Sequence, residues 1–248
     1  MVFLAVAACG MIEIHADESD DFEVGVRLRV DPSITSRVIP DIIKDETARL
    51  WRPYGVHIQW ADAQSAGPEA NGFFLKAIVE PRIDATPLPN WGASVLGRAS
   101  VNLDAPSRRP ILVSLDATER VLTTGTGVRS SLIRFAHETV LARALGRVLA
   151  HEIGHVLLGA PYHDDAGLMR AVFQPDELAD PDRSPFRLTC TGFGRLRSRF
   201  HVLIGNPQPH HHWTGAEPLQ VSDGLQVSDG IVADAFNRSS CIAGRPLR

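Results

Sequence analysis

The amino-acid sequence predicts an α+β fold, in which a mixed β-sheet packs against helices and one helix is long. Short segments that alternate apolar and polar residues, as half-buried strands do, recur through the first half of the chain. A helical pattern lies between the first two of these segments, which favours a sheet with a helix packed on it. The strongest helical pattern runs from about Ser130 to Leu158, after the last predicted strand.

The first predicted strand is Val24 to Val30, and Asp31-Pro32-Ser33 ends it. Residues 37 to 52 carry a broad apolar face typical of an amphipathic helix, which ends at Pro53-Tyr54-Gly55. Four further strands are expected at Val56 to Trp60, Phe73 to Val79, Ala93 to Leu103 and Ile111 to Leu115. Prolines flank residues 93 to 103, which suits an irregular edge strand rather than a central one.

The long helix has recognisable ends. Ser130 or Ser131 can cap its start, and Gly159 suits its end because glycine adopts the left-handed conformation at little cost. Gly146 lies inside the helix and is a candidate break into two helices. Apolar residues keep helical spacing at Leu141, Leu145, Val148 and Leu149.

Composition and charge exclude some classes of protein. The chain has 248 residues, of which 44% are hydrophobic and 22% charged, as in ordinary globular proteins. A net charge of -4 lacks the basic excess typical of nucleic-acid-binding proteins, so no nucleic-acid partner is expected. No apolar run reaches the roughly 18 residues that a transmembrane helix needs, so no membrane span is expected.

The segment from His151 to Met169, HEIGHVLLGAPYHDDAGLM, carries the most informative pattern. His151 and His155 lie four residues apart, so on a helix they share one face and can bind one metal ion. Glu152 is offset by about 100° from His151, which places it beside the metal. There it can act as general base on a zinc-bound water, whose pKa the metal lowers towards ~7. The pattern predicts a catalytic Zn²⁺ site.

Catalytic zinc usually has three protein ligands and one open position. His163 is the expected third ligand, because the helix must end after His155 and Gly159 allows the chain to turn back. Asp164 or Asp165, in the same loop, are alternatives that remain open.

The string HExxHxxxGxxxH resembles the signature of the metzincin zinc metallopeptidases, HExxHxxGxxH followed by a methionine turn. The glycine stands one residue later than in that signature, and the last histidine two residues later. The segment is also similar to poorly characterised bacterial proteins with the same motif. The resemblance implies a zincin-like fold, with His151, His155 and His163 as zinc ligands and Glu152 as general base. Met169 then stands where the methionine turn forms an apolar floor beneath the metal.

A different zinc-peptidase pattern, that of the gluzincins, takes its third ligand from a glutamate on a later helix. Glu177 lies at a suitable distance downstream for that role. It remains a further alternative to His163.

The leading interpretation of function is a zinc metalloendopeptidase that hydrolyses peptide bonds. One alternative is a zinc-binding protein without catalysis, although a structural site usually closes its fourth position with Cys or His. Another is a zinc hydrolase that acts on a non-peptide substrate. A peptide or protein substrate is expected to add as a strand to the sheet edge at residues 93 to 103.

The two ends of the chain are set apart from the predicted catalytic domain, residues 22–204. Residues 1–21 join an apolar start to an acidic lead-in, and the sequence around Cys9 resembles the end of a bacterial lipoprotein signal. This resemblance implies export with Cys9 as a lipid anchor, and a buried N-terminal strand or helix is the alternative. Residues 205–248, with three consecutive histidines at 210–212, are expected to form a weakly ordered tail.

Cysteine usage leaves the compartment open. If the protein is exported and Cys9 is lipidated, Cys190 and Cys241 form a candidate disulfide pair. Free thiols in a cytoplasmic protein are equally consistent with three cysteines.

Overall fold

A computed structural model describes residues 21–35, 37–61, 73–83, 95–100, 109–125, 134–159 and 162–205. Several predictions fall outside these residues. They are the helix cap at Ser130 or Ser131, the lipid anchor at Cys9, the pairing partner Cys241 and the tail beyond residue 205.

Five described strands form one sheet in the order β2-β1-β3-β5-β4. Their bounds are β1 (Phe22–Val30), β2 (Val56–Ala61), β3 (Phe73–Glu80), β4 (Gly97–Arg98) and β5 (Ile111–Ser114). The pairs β1–β2, β1–β3 and β3–β5 are parallel, whereas β4 runs antiparallel to β5. The predicted mixed sheet is therefore confirmed, and the described part of the predicted edge strand, residues 95–100, contributes the two strand residues Gly97 and Arg98.

The described helices pack with this sheet and confirm the α+β class. Their bounds are α1 (Pro40–Trp51), α2 (Leu115–Gly125), α3 (Arg134–Leu158), α4 (Pro175–Ala179) and α5 (Cys190–Gly205). Short 3-10 helices occupy Arg52–Tyr54 and Ser184–Phe186. No helix in the described part of the chain is long and apolar enough to cross a membrane.

Three of these helices, α2, α4 and α5, were not predicted from the sequence. Helix α2 begins directly at the end of β5, so no turn residue separates the helical pattern from the strand before it. Helix α5 lies in an arginine-rich stretch with three glycines, and its buried apolar face includes Leu196 and Phe200, four residues apart. Weak local patterns of this kind become helices through packing rather than through propensity.

The expected break at Gly146 is wrong, because α3 is continuous over all 25 of its residues. A Cβ atom at Gly146 would lie 2.9 Å from both the Ile43 carbonyl oxygen and the Glu46 Cβ. The glycine thus lets α1 approach α3 closely, and the Thr47 hydroxyl donates to the Gly146 carbonyl at 3.0 Å. Close packing explains a residue that costs about 1 kcal/mol in a helix interior.

A buried arginine ties α1 and α3 to the segment around α4. The Arg147 Nε donates to Glu46 Oε1 at 2.8 Å, and both side chains are almost fully buried. Its other nitrogens donate to the backbone carbonyls of Glu177 and Asp182. Because a buried charge is tolerated only when paired and hydrogen-bonded, these contacts fix the segment that follows the long helix.

Candidate metal centre

Three histidine side chains meet beside the C-terminal half of α3. One ligand nitrogen from each of His151, His155 and His163 lies within 4.8 Å of the others. His151 and His155 are buried and lie one turn apart on the helix, as their spacing predicts. His163 is exposed and comes from the loop after the helix, with its ring centre 4.9 Å from that of His155.

The chain turns back towards the site at Gly159, the residue that directly follows α3. Gly159 adopts a φ of +69°, and its N–H donates to the His155 carbonyl at 3.1 Å. This left-handed conformation favours glycine at the end of a helix. The predicted helix stop is confirmed, and it brings His163 back to the helical pair.

The hydrogen bond of His151 fixes which of its nitrogens faces the site. Its Nδ1 lies 2.7 Å from the Leu168 carbonyl oxygen, which can only accept a hydrogen bond. Nδ1 therefore carries the proton, and the Nε2 lone pair points to His155, whose Nε2 lies 3.0 Å away. Burial lowers the pKa of His151 to about 3, so its ring is neutral at physiological pH. Metal-binding histidines are commonly oriented by such an outer hydrogen bond.

The chemistry of the donor set identifies the metal that fits. Three imidazole nitrogens suit Zn²⁺, which takes three protein ligands and an open fourth position in catalytic sites. Partial desolvation of its ring also lowers the pKa of His163, which favours the neutral form that binds metal. Calcium and magnesium require oxygen ligands, so this set does not fit them.

Glu152 lies next to the histidines with its carboxyl group against the edge strand β4. A Cβ atom at Gly97 would lie 2.5 Å from Glu152 Oε1, so only glycine permits this approach. The backbone N–H of Ala99 donates a hydrogen bond to the carboxyl group. Burial raises the pKa of Glu152 to about 8, although the Ala99 N–H and the nearby Arg98 charge oppose the shift. A carboxyl group with this pKa can accept and return a proton near neutral pH.

Met169 is fully buried and packs directly against α3. A Cβ atom at Gly154 would lie 2.3 Å from the Met169 sulfur, so the glycine before His155 makes room for this side chain. Gly167 has a φ of +77°, and a Cβ there would lie 2.0 Å from the Arg187 carbonyl oxygen. The methionine is thus held against α3 at Gly154, and its role as a floor for the metal stays a prediction.

The three alternative third ligands, Asp164, Asp165 and Glu177, lie outside the histidine cluster. The Asp164 carboxylate accepts hydrogen bonds from the hydroxyl groups of Tyr162 and Thr189. Asp165 is exposed. Glu177 accepts a hydrogen bond from Arg170 Nη1 at 3.1 Å and forms an ion pair with it. Among the described residues, the cluster with metal-binding geometry contains the three histidines alone.

Sequence reasoning missed three residues that shape the site. Phe173 packs its ring edge-on to His151, with 5.2 Å between ring centres, and no local pattern signals this contact. Gly97 leaves room for the Glu152 carboxyl group, and Gly154 leaves room for the Met169 side chain. The glycine inside HEIGH was the available signal, because a glycine in a helix interior often marks a close contact.

Comparisons with known proteins give distant likenesses only. No family model matches the chain, and no curated protein matches it. An archaemetzincin structure from Methanopyrus kandleri has a TM-score of 0.44 and 15% identity, over 74% of this chain and 98% of that chain. A zinc-dependent peptidase from Methanocorpusculum labreanum has a TM-score of 0.42 and 16% identity, over 71% of this chain and 99% of that chain. At these low scores and identities, neither likeness transfers an activity to this chain.

Proposed function

We propose that this chain is a zinc-dependent metallopeptidase, in which His151, His155 and His163 hold the metal and Glu152 is the general base. The observation that carries this proposal is a buried carboxyl group, that of Glu152, on the same helix as two of three converging imidazoles. A purely structural zinc site needs no such group and usually has a fourth Cys or His ligand. The carboxyl group also lies directly below a sheet edge, where an extended peptide can bind.

Zinc held by His151, His155 and His163 would lower the pKa of a bound water towards ~7 and would polarise the carbonyl group of the scissile bond. Glu152 would then take a proton from the attacking water and later donate it to the leaving amine. The Ala99 N–H orients the carboxyl group, because it donates a hydrogen bond to that group from the residue directly after β4. Burial raises the pKa of Glu152 to about 8, so the protonated carboxyl group that the second transfer needs is accessible near neutral pH.

We propose that the substrate lies along β4 as an additional strand. Ser114 N–H donates to the Leu96 carbonyl at 2.8 Å, so the backbone of Leu96 faces β5. In an antiparallel pair this orientation alternates, so the backbone groups of Gly97 face away from the sheet. No described strand pairs with β4 on that side, so these groups can pair with the main chain of a peptide. N-methylation of successive substrate amides should abolish cleavage at one position only, and uniform cleavage of all such peptides would exclude this binding mode.

The proposed activity is tested by comparing wild type with Glu152→Gln, a substitution of nearly the same shape. Both proteins are expected to carry one zinc per chain. Wild type should cleave an internal bond in peptides with blocked ends, and Glu152→Gln should lose roughly 10²–10⁴-fold in kcat. Zinc binding without cleavage by either protein would instead favour a non-catalytic zinc site, and cleavage of non-peptide substrates alone would favour another zinc hydrolase.

We also propose that the protein acts outside the cytoplasm. Cys190, the first residue of α5, is disulfide-bonded, and disulfides persist mainly in oxidising compartments. The expected partner Cys241 and the candidate lipid anchor Cys9 lie outside the described residues. Peptide mapping of the native protein without reduction should find Cys190 in a cross-linked peptide. A free thiol at Cys190 would contradict the proposal.

A further inference from the structure

The third histidine of the site is held differently from the other two. His151 and His155 are buried on α3, whereas His163 is exposed on the loop between α3 and α4. A helix fixes the first pair by its own periodicity. The loop must be fixed by other contacts if His163 is to stay beside them, and the residues on either side of it, Tyr162 and Asp164, make such contacts.

Asp164 makes hydrogen bonds within this loop and also to a residue that is distant in the sequence. Its backbone N–H donates to the Met169 carbonyl at 2.8 Å, which closes the loop after His163. One carboxylate oxygen accepts a hydrogen bond from the Tyr162 hydroxyl, and the other accepts one from the Thr189 hydroxyl. The carboxylate therefore fixes the chain on both sides of the exposed histidine.

The distant anchor is the start of α5. The Thr189 hydroxyl oxygen accepts a hydrogen bond from the Gly192 N–H at 3.1 Å, as the cap of a helix does. The same hydroxyl group donates a hydrogen bond to the Asp164 carboxylate. The Arg195 guanidinium lies 4.1 Å from the centre of the Tyr162 ring. Helix α5 and the residue that caps it, Thr189, thus contact the loop at two points, although none of the three histidines lies on α5.

We propose that Asp164 is a positioning residue for the metal site, which holds His163 against the two helical histidines through Tyr162 and Thr189. This inference rests on the zinc site proposed above. It gives Asp164 a role distinct from metal binding, because both of its carboxylate oxygens already accept hydrogen bonds from hydroxyl groups. It also makes α5 part of the metal site, since the loop depends on a hydroxyl group that caps that helix.

The test is zinc affinity, measured by competition with a chromogenic chelator. Asp164→Ala should bind zinc roughly 10–100-fold more weakly than wild type, the range for groups that orient metal ligands. After replacement of zinc by Co²⁺, the visible absorption of Asp164→Ala should shift towards that of His163→Ala. A residue that only stabilises the fold would leave the cobalt spectrum of the folded protein unchanged.

Two matched controls make the outcome specific. Asp165→Ala removes the same charge from the next residue, which is exposed, and should keep wild-type affinity. Thr189→Val keeps the shape of the side chain without its hydroxyl group and should weaken zinc binding, whereas Thr189→Ser should retain it. The threonine pair keeps the test decisive if Asp164→Ala fails to fold.

The positioning role and the proposed function fail in different ways. Wild-type zinc affinity and cobalt spectra in both Asp164→Ala and Thr189→Val, with weakened binding in His163→Ala, would overturn the positioning role alone. Absence of zinc binding in the wild type would overturn both.

Discussion

The two halves of the metal centre are built by different means. His151, Glu152 and His155 lie on α3, and helical periodicity alone places them on adjoining faces. His163 lies on a loop that depends on a left-handed glycine before it and on contacts to residues more than twenty positions later. The comparison teaches that the helical half is a local property of the sequence, whereas the loop half is a property of the fold.

The largest expected effects come from two single substitutions, each of which removes one zinc ligand from one half of the site. His155→Ala breaks the pair that the helix holds in place, so zinc affinity should fall by more than the roughly 100-fold that loss of an orienting partner costs. His163→Ala leaves that pair intact and should retain measurably tighter binding than His155→Ala. Chelator competition on both variants checks this order. Weaker binding by His163→Ala would mean that the loop, and not the helix, dominates the site.

A smaller effect is expected where the helical half meets the sheet. Gly97→Ala places a Cβ atom 2.5 Å from Glu152 Oε1, so the carboxyl group must move. Zinc affinity should stay unchanged while kcat falls by about 10²-fold, the scale of a 1 Å misplacement of a catalytic group. Ser100→Ala, in the same segment, serves as the control. Unchanged kcat in Gly97→Ala would show that this contact does not set the position of Glu152.

The smallest effect concerns the packing of Met169 against α3. Gly154, which contacts Met169, and Gly194, which lies on α5, provide a matched pair for substitution. Gly154→Ala introduces a Cβ atom 2.3 Å from the Met169 sulfur and should lower the free energy of unfolding by about 1–3 kcal/mol through overpacking. Gly194→Ala, on α5, meets no atom within 4 Å and should raise it by up to about 1 kcal/mol. Urea unfolding of the metal-free proteins measures both. Equal stability of the two variants would show that the methionine packs loosely.

The sequence predicted those parts of the molecule whose cause is local. Alternating strands and the HExxH helix follow from periodicity, and Gly159 ends the helix where its position predicts. Helix α5 was missed because its buried face depends on packing against the rest of the fold. The role of Asp164 was missed for a related reason. Its carboxylate suggested a metal ligand, and only the fold brings Thr189 close enough to occupy it.

Long-range burial explains the remaining differences. The ion pair between Arg147 and Glu46 joins residues about a hundred positions apart, and nothing near either residue signals it.

The most direct test of the central claim is removal and return of the metal while peptide cleavage is followed. The purified protein is stripped with a chelator and then titrated with Zn²⁺, using blocked peptides as substrate. We expect cleavage to disappear on stripping and to return in proportion to zinc, up to one ion per chain. Cleavage that persists without metal, or a fully zinc-loaded protein that cleaves no peptide, would contradict the proposed metallopeptidase.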